Sequence, residues 1–201
     1  AGRHDLIYDQ RIRDGDPDLG FKAGRLDYRA ASTGRSSKGK SMINTVAVIG
    51  GSGFVGRATV ERLARAGKQV IVLCRNSERA KYLNPMGNVG QITLVAGNAL
   101  DEAVLESVIR PADAVVNLIG ILAEGGGQGF DALQAQLPER IGVLADKHGV
   151  QSLVHLSAIG ADRESPSHYA KSKAAGEAGL RKAYASAVIL RPSVVFGPRD
   201  D

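Results

Sequence analysis

The run Val46-Ala47-Val48-Ile49-Gly50-Gly51-Ser52-Gly53-Phe54-Val55-Gly56 decides how this chain is read. Its first four residues are apolar and mostly β-branched, as in a buried strand; the glycines then break the run, and from Val55 the apolar residues recur at helical spacing as far as Ala66. Gly51, Gly53 and Gly56 fit the pattern GxGxxG, while Gly50, Gly53 and Gly56 fit GxxGxxG. Such a loop needs glycine for a tight turn, for close approach of backbone to a pyrophosphate, and for close packing of helix on strand. With Phe54 and Val55 opening the helix, backbone N–H groups at its N-terminus face the phosphates. Strand, loop and helix in this order predict a dinucleotide site, and a purely structural turn is the alternative.

Outward from this loop, short β-branched runs alternate with helical stretches. Strands are predicted at Thr45 to Ile49, Gln69 to Cys74, Gln91 to Val95, Ala114 to Leu118, Ser152 to Leu156 and Ala187 to Leu190. These runs are nearly all apolar, which suits parallel strands covered on both faces. Helices are predicted at Val55 to Ala66, Glu102 to Ile109, Asp131 to His148 and Tyr169 to Tyr184, with a shorter one near Ser77 to Tyr82. Pro138 should kink or restart the third. The expectation is an α/β fold of Rossmann type, a doubly wound parallel sheet in the order 3-2-1-4-5-6.

Composition narrows the function classes. Hydrophobic residues at 43% and charged ones at 23% make a globular core feasible, and the 25 glycines suit an α/β fold with tight loops. Lys and Arg outnumber Asp and Glu by 26 to 21, but they are scattered, with no basic stripe or aromatic platform, so nucleic acid is not an expected partner. Cys74 is the only cysteine, which excludes a disulfide framework and a cysteine-based zinc site, and no metal site is expected. No apolar run approaches the roughly 20 residues of a membrane span.

The choice of cofactor should fall at the end of the second strand, where an acidic residue would hold the ribose 2′-hydroxyl. Cys74-Arg75-Asn76 stands there instead. With no carboxylate to repel a 2′-phosphate and the guanidinium fork of Arg75 to bind it, NADP(H) is favoured and NAD(H) is possible. An exposed arginine at a helix start is the alternative for Arg75; Arg57 is a weaker helper for the same phosphate.

Tyr169 and Lys173 lie four apart on a predicted helix and so share a face. A neighbouring ammonium stabilises a phenolate and brings a tyrosine toward neutral-pH acid–base work. An exposed Tyr and Lys on an amphipathic helix is the alternative. Lys171 faces elsewhere, and His155, inside an apolar strand, reads as a packed core residue.

These motifs, together with Gly97-Asn98-Ala99-Leu100-Asp101, Asn117-Leu118-Ile119-Gly120, Tyr169-Ala170-Lys171-Ser172-Lys173 and Arg191-Pro192-Ser193-Val194-Val195-Phe196-Gly197-Pro198, resemble the extended and atypical short-chain dehydrogenase/reductase superfamily, of the NAD-dependent epimerase/dehydratase type. The resemblance runs from about residue 43 to the end. Within it, GGSGFVG, VNLIGIL, LVHLSAIGAD and YAKSKAAGE look most like the NAD(P)H-binding accessory subunit of respiratory complex I and its bacterial relatives.

By this resemblance Asn98 and Ala99 lie by the adenine, although many relatives have Asp where Asn98 stands. Leu118, Ile119 and Gly120 run past the cofactor's ribose and phosphates, or are no more than a strand end and its loop. The resemblance makes Tyr169 the residue that passes a proton to or from a carbonyl or alcohol substrate, Lys173 the partner that also holds the nicotinamide ribose, and Ser157 the residue that orients the substrate oxygen. It implies an oxidoreductase or epimerase-type activity, with a non-catalytic structural or assembly subunit of a respiratory complex as the alternative and complex I subunits as partners.

Residues 1–41 are rich in Arg, Asp, Gly and Ser without a regular apolar face, and are expected to be a disordered leader. Met42, directly before the first strand, is the expected natural start, and a genuine flexible extension is the alternative. Residues 42–201 are expected to form one dinucleotide-binding domain, and the resemblance implies a C-terminal substrate domain beyond Asp201. The Gly125-Gly126-Gly127-Gln128-Gly129 loop reads either as a mobile lid edge or as a connector. The expected location is cytoplasmic, or peripheral at the inner face of a respiratory membrane.

Overall fold

The apolar runs pair side by side. In the computed structural model, which describes residues 42–125, 129–197 and 200, they are β1 (Thr45–Ile49), β2 (Gln69–Cys74), β3 (Ile92–Ala96), β4 (Ala114–Asn117), β5 (Ser152–Leu156) and β6 (Val188–Leu190). They form one sheet in the order β3-β2-β1-β4-β5-β6. Every pairing is parallel, which is the expected doubly wound order. The expected leader over 1–41 lies outside the described residues, as do residues 126–128 of the glycine-rich connector.

The connections are helices: α1 (Phe54–Arg65), α2 (Ser77–Ala80), α3 (Glu102–Ile109), α4 (Leu137–Lys147) and α5 (His168–Ala183). Local chemistry starts them. Asn76 caps α2 by accepting from Arg79 N at 3.0 Å, Asp101 caps α3 by accepting from Ala103 N and Val104 N, and Ser167 caps α5 by accepting from Ala170 N. α1 begins without any side-chain cap.

Alternate side chains of β1 enter two cores on opposite faces of the sheet. Ala47 and Ile49 join Leu105 and Ile109 of α3, Leu137 and Ile141 of α4 and Leu180 of α5. Val46 and Val48 join Val60 and Ala64 of α1, with Leu83 from a 3-10 turn over Lys81–Met86. Each fully buried Leu or Ile contributes about 1.5–3 kcal/mol of transfer free energy, so both layers hold the sheet between them.

Several boundaries differ from the sequence expectation, and three of the differences have a side-chain cause. β3 starts at Ile92 because Gln91 turns inward as a clasp, donating to Ala64 O at 2.7 Å and to Lys68 O at 3.0 Å. β4 stops at Asn117, whose side-chain oxygen accepts from Ile119 N at 3.2 Å and bends the chain. The helix expected over Asp131 to His148 winds as a π-helical segment, Asp131–Gln136, and restarts as α4 with Pro138 in its first turn, where a missing N–H costs nothing. Among the described residues no helix is long and apolar enough to cross a membrane.

Candidate functional site

β1 and β4 diverge in the direction of their connections, and open α/β sheets bind ligands beyond the strand ends at such a point. A cleft of about 600 Å³ lies there. Its walls come from the glycine loop (Gly50, Ser52, Gly53), the end of β2 (Leu73, Cys74, Arg75), the turn after β3 (Gly97 to Leu100) and the turn after β4 (Leu118 to Ile121), with Leu133 closing one side.

The glycines of the loop divide the work. Gly50 has φ +84°, in the region that glycine alone adopts easily, so it makes the turn. A Cβ on Gly51 would lie 2.8 Å from a Val72 methyl, and one on Gly56 would lie 2.6 Å from the Gly51 backbone and collide with the Gly50 carbonyl oxygen. Those two let α1 pack down on the strands. Gly53 is the N-terminal residue before α1, its N–H on Gly50 O at 3.2 Å. Phe54 and Val55 follow in the first turn, where backbone N–H groups have no partner within the helix. A phosphate fits what the loop leaves: small residues, unbonded N–H groups and the positive end of the helix.

The remaining cofactor candidates converge on the same cleft. Arg75 is exposed on the wall, and Cys74 beside it is buried, its thiol pushed up by that burial and resting on Val95 O at 3.6 Å. Asn98 shapes its own turn by accepting from Leu100 N at 3.0 Å, and Ala99 is buried behind it. Leu118, Ile119 and Gly120 line the wall nearest α5.

Lys173 stands behind that wall, against Gly120, and Tyr169 lies one turn before it on α5; neither lines the cleft. Lys173 is only 4% exposed; its Nζ donates to Leu156 O at 3.4 Å and lies 3.1 Å from where a Cβ on Gly120 would be. Burial lowers the lysine to about 8, with the Glu177 carboxylate opposing that fall. The ammonium sits 5.9 Å from the centre of the Tyr169 ring. The expected depression of the phenol does not appear. Burial pushes Tyr169 up instead, and Lys173 lies over the ring face. Phe130 packs edge-on against the same ring.

Ser157 follows β5 and is 4% exposed. Its hydroxyl helps to hold the Glu177 carboxyl low, yet its oxygen makes no hydrogen bond of good geometry, so it is turned toward the interior under α5. His155 is a packed residue, 1% exposed, with Nδ1 accepting from Asn117 Nδ2 at 3.1 Å and Nε2 left without a partner. Burial, and then the Lys173 charge, lower it to about 4. Lys171 is exposed on a separate shallow cleft with Glu139 and Arg163.

Sequence reasoning missed what supports these groups. Glu177, one turn beyond Lys173, takes both nitrogens of a bidentate clamp from Arg191, at 2.8 and 2.6 Å. Its burial would raise it, but the hydrogen bonds from Arg191, helped by the nearby Ser157 hydroxyl, outweigh that and hold the carboxyl below its ordinary value. The signal was present in the spacing, since Tyr169, Lys173 and Glu177 recur at four-residue steps. Gln134, 1% exposed in the π-helical segment, donates to Ile121 O at 3.0 Å and so anchors the turn that lines the cleft.

The sequence profile of the NAD(P)H-binding family matches residues 50–196. Among curated proteins, the chain is 32% identical over 170 residues to NADH dehydrogenase [ubiquinone] 1 alpha subcomplex subunit 9, mitochondrial, of Arabidopsis thaliana, covering 83% of this chain and 42% of that protein. It is 29% identical to a ceramide reductase of Caulobacter vibrioides, covering 77% of this chain and 47% of the reductase. The chain thus spans less than half the length of either relative. Among solved structures, a protein described as an NAD-dependent epimerase/dehydratase from Bacillus halodurans superposes with a TM-score of 0.65 at 22% identity, over 78% of this chain and 73% of that one.

Proposed function

The chain belongs to the NAD(P)H-binding family, and from that premise we propose that it takes NADP(H) in preference to NAD(H) and serves carbonyl–alcohol oxidoreduction through Tyr169 and Lys173. The observation that carries the reading is the approach of the Lys173 ammonium to Gly120, a residue of the cleft wall. The glycine loop and the first turn of α1 hold the pyrophosphate; Arg75 takes the 2′-phosphate; Asn98 and Ala99 border the adenine; Leu118, Ile119 and Gly120 border the nicotinamide half. A nicotinamide dinucleotide, when bound, supplies or accepts the hydride.

The chain's own residues handle the proton. The Tyr169 hydroxyl gives it to the substrate oxygen in reduction and takes it back in oxidation, and the Lys173 ammonium stabilises the phenolate between those events. Ser157 is assigned the orientation of that oxygen, which requires its hydroxyl to turn out from beside Glu177. The likeness to the Arabidopsis protein supports a respiratory complex I partner and a peripheral position at its membrane.

A second reading has its own observation: Lys173 lies over the Tyr169 ring and burial raises the phenol, an arrangement that suits holding a nucleotide more than using it. In that case the protein is a nucleotide-binding structural or assembly subunit.

One set of variants separates them. Tyr169→Phe should keep NADPH bound and lower carbonyl reduction by about 10²–10⁴-fold, because only the proton carrier is lost. Lys173→Ala should weaken both. An active protein that keeps its rate after Tyr169→Phe rejects the mechanism; tight NADPH binding with no turnover of any carbonyl, and impaired assembly with complex I subunits after Lys173→Ala, favours the structural subunit. Arg75→Asp should weaken NADPH far more than NADH, and equal loss of both rejects the preference.

A further inference from the structure

Two cationic side chains, Arg57 and Arg75, stand near the glycine loop and the cleft. Among the described residues neither Arg57 nor Arg75 makes an ion pair, although acids stand close in sequence on α1 and α2. Those acids are engaged elsewhere: Glu61 pairs with Arg65 at 2.6 Å and Glu78 with Lys81 at 2.6 Å. Arg57 is also partly desolvated, its Nε buried without a hydrogen-bond partner. A guanidinium that has lost water and gained no carboxylate is costly unless something else holds it or an anion completes it.

Tyr82 is what holds it. The Arg57 guanidinium carbon lies 5.4 Å from the centre of the Tyr82 ring, within reach of a cation–π contact. Tyr82 is itself fixed, because its hydroxyl donates to Ser52 O at 2.7 Å, across thirty residues of chain. Ser52 and Arg75 both line the dinucleotide cleft. The 3-10 turn that carries Tyr82 is thereby tied to the glycine loop, and Arg57 is stacked on the tie.

We propose that Tyr82 is a positioning residue for cofactor selectivity: it presets Arg57 beside the glycine loop, so that Arg57 and Arg75 together grip the 2′-phosphate that distinguishes NADP(H) from NAD(H). This rests on the NADP(H) preference proposed above and adds the device that enforces it. A phosphate monoester suits the pair because a guanidinium fork matches its oxygens, and a preset fork loses less side-chain freedom on binding. NAD(H), with a 2′-hydroxyl at that place, gains nothing from the arrangement.

The test is the ratio of NADPH to NADH affinity, measured by fluorescence titration of the whole chain, with melting temperature followed in parallel. Tyr82→Leu removes ring and hydroxyl, and should lower NADPH affinity by about two- to fivefold, the worth of an exposed cation–π contact, with NADH unchanged. Tyr82→Phe keeps the ring and should keep most of the ratio. Arg57→Met leaves the Tyr82–Ser52 hydrogen bond in place and should lower NADPH affinity selectively by about tenfold, the size of one charge-assisted contact. It carries the same expectation if Tyr82→Leu fails to fold. A wild-type chain that prefers NADPH and keeps its ratio in both Tyr82→Leu and Arg57→Met overturns the role of Tyr82 and leaves Arg75 as the selector. Equal loss of both cofactors in Tyr82→Leu shows a merely structural tie and overturns it too. A wild-type chain with no preference overturns this inference together with the NADP(H) reading.

Discussion

The two sides of the cleft are made by opposite means. On the β1–α1–β2 side the surface is made by leaving atoms out: Gly50 turns the chain, Gly51 and Gly56 let α1 settle on the strands, and the charged group on that wall, Arg75, is exposed. On the β5–α5–β6 side, behind the turn after β4, charge is put in: Lys173, Glu177 and His155 are all buried, with Glu177 opposing the fall of Lys173 and Lys173 adding to that of His155. A wall of missing atoms should respond to bulk and ignore pH. A wall of buried charge should respond to pH through named groups. Bulk also matters on the second side at one point, Gly176, where a Cβ would collide with the Gln134 carbonyl oxygen.

The largest effect tests the first wall. Gly56→Ala places a methyl against the Gly50 and Gly51 backbone, neither of which is the free end of a flexible side chain. The strand and α1 must separate, so the cost should exceed about 3 kcal/mol in chemical denaturation, and dinucleotide binding should be lost. The loss should be the same at pH 6 and pH 8. A variant of wild-type stability would mean that the close approach of α1 is not required.

This side was also the more legible in sequence, for the same reason. A requirement for absent side chains is written directly as glycine at fixed spacing, and the strand order follows from buried parallel runs such as Val46 to Ile49, which carry no competing signal. The other side was legible only in outline. Tyr169 and Lys173 could be placed on one helix face, but whether the ammonium meets the hydroxyl or the ring depends on how α5 lies against Leu156 and Gly120, which are far from it in sequence. The clamp on Glu177 comes from Arg191 on the chain beyond β6. Tyr82 was hidden likewise, since its partner Ser52 lies across a fold contact that no local pattern encodes.

The next effect tests the second wall. His155 has its folded value lowered to about 4 from 6.5, so at pH 7 it is neutral in both the folded and unfolded chain. As pH falls below 6.5 the unfolded chain takes up a proton that the folded one refuses, and stability declines until pH passes about 4. The contribution lost by pH 4 is about 3 kcal/mol. Denaturation measured from pH 7 to pH 4 should show this decline, and His155→Asn should flatten it whatever its starting stability. In the folded chain protonation comes only near pH 4, where it also removes the acceptor for Asn117, whose oxygen holds Ile119 at the cleft, so dinucleotide affinity should hold to about pH 5 and fall near pH 4. An unchanged slope in the variant would assign the acid sensitivity to other groups.

The smallest effect is the most diagnostic, because it asks whether the buried carboxylate acts on Lys173 or only packs. Glu177 opposes the fall that burial imposes on Lys173, and Arg191 holds that carboxylate ionised. Glu177→Gln keeps the shape and one acceptor for Arg191 while removing the negative charge. Lys173 should then drop below its present value of about 8. The neighbouring His155 stays neutral at both pH 6 and pH 8, since its folded value is about 4. A drop of about one unit, the lower end of what an adjacent opposite charge supplies, cuts the protonated fraction at pH 8 about fivefold. Affinity for the dinucleotide should fall by that factor at pH 8 and hardly at all at pH 6, where the lysine stays charged either way. Gly56→Ala should give the contrary pattern, loss without pH dependence. If Glu177→Gln weakens binding equally at both pH values, its effect is on packing, and the second wall works by shape as the first one does.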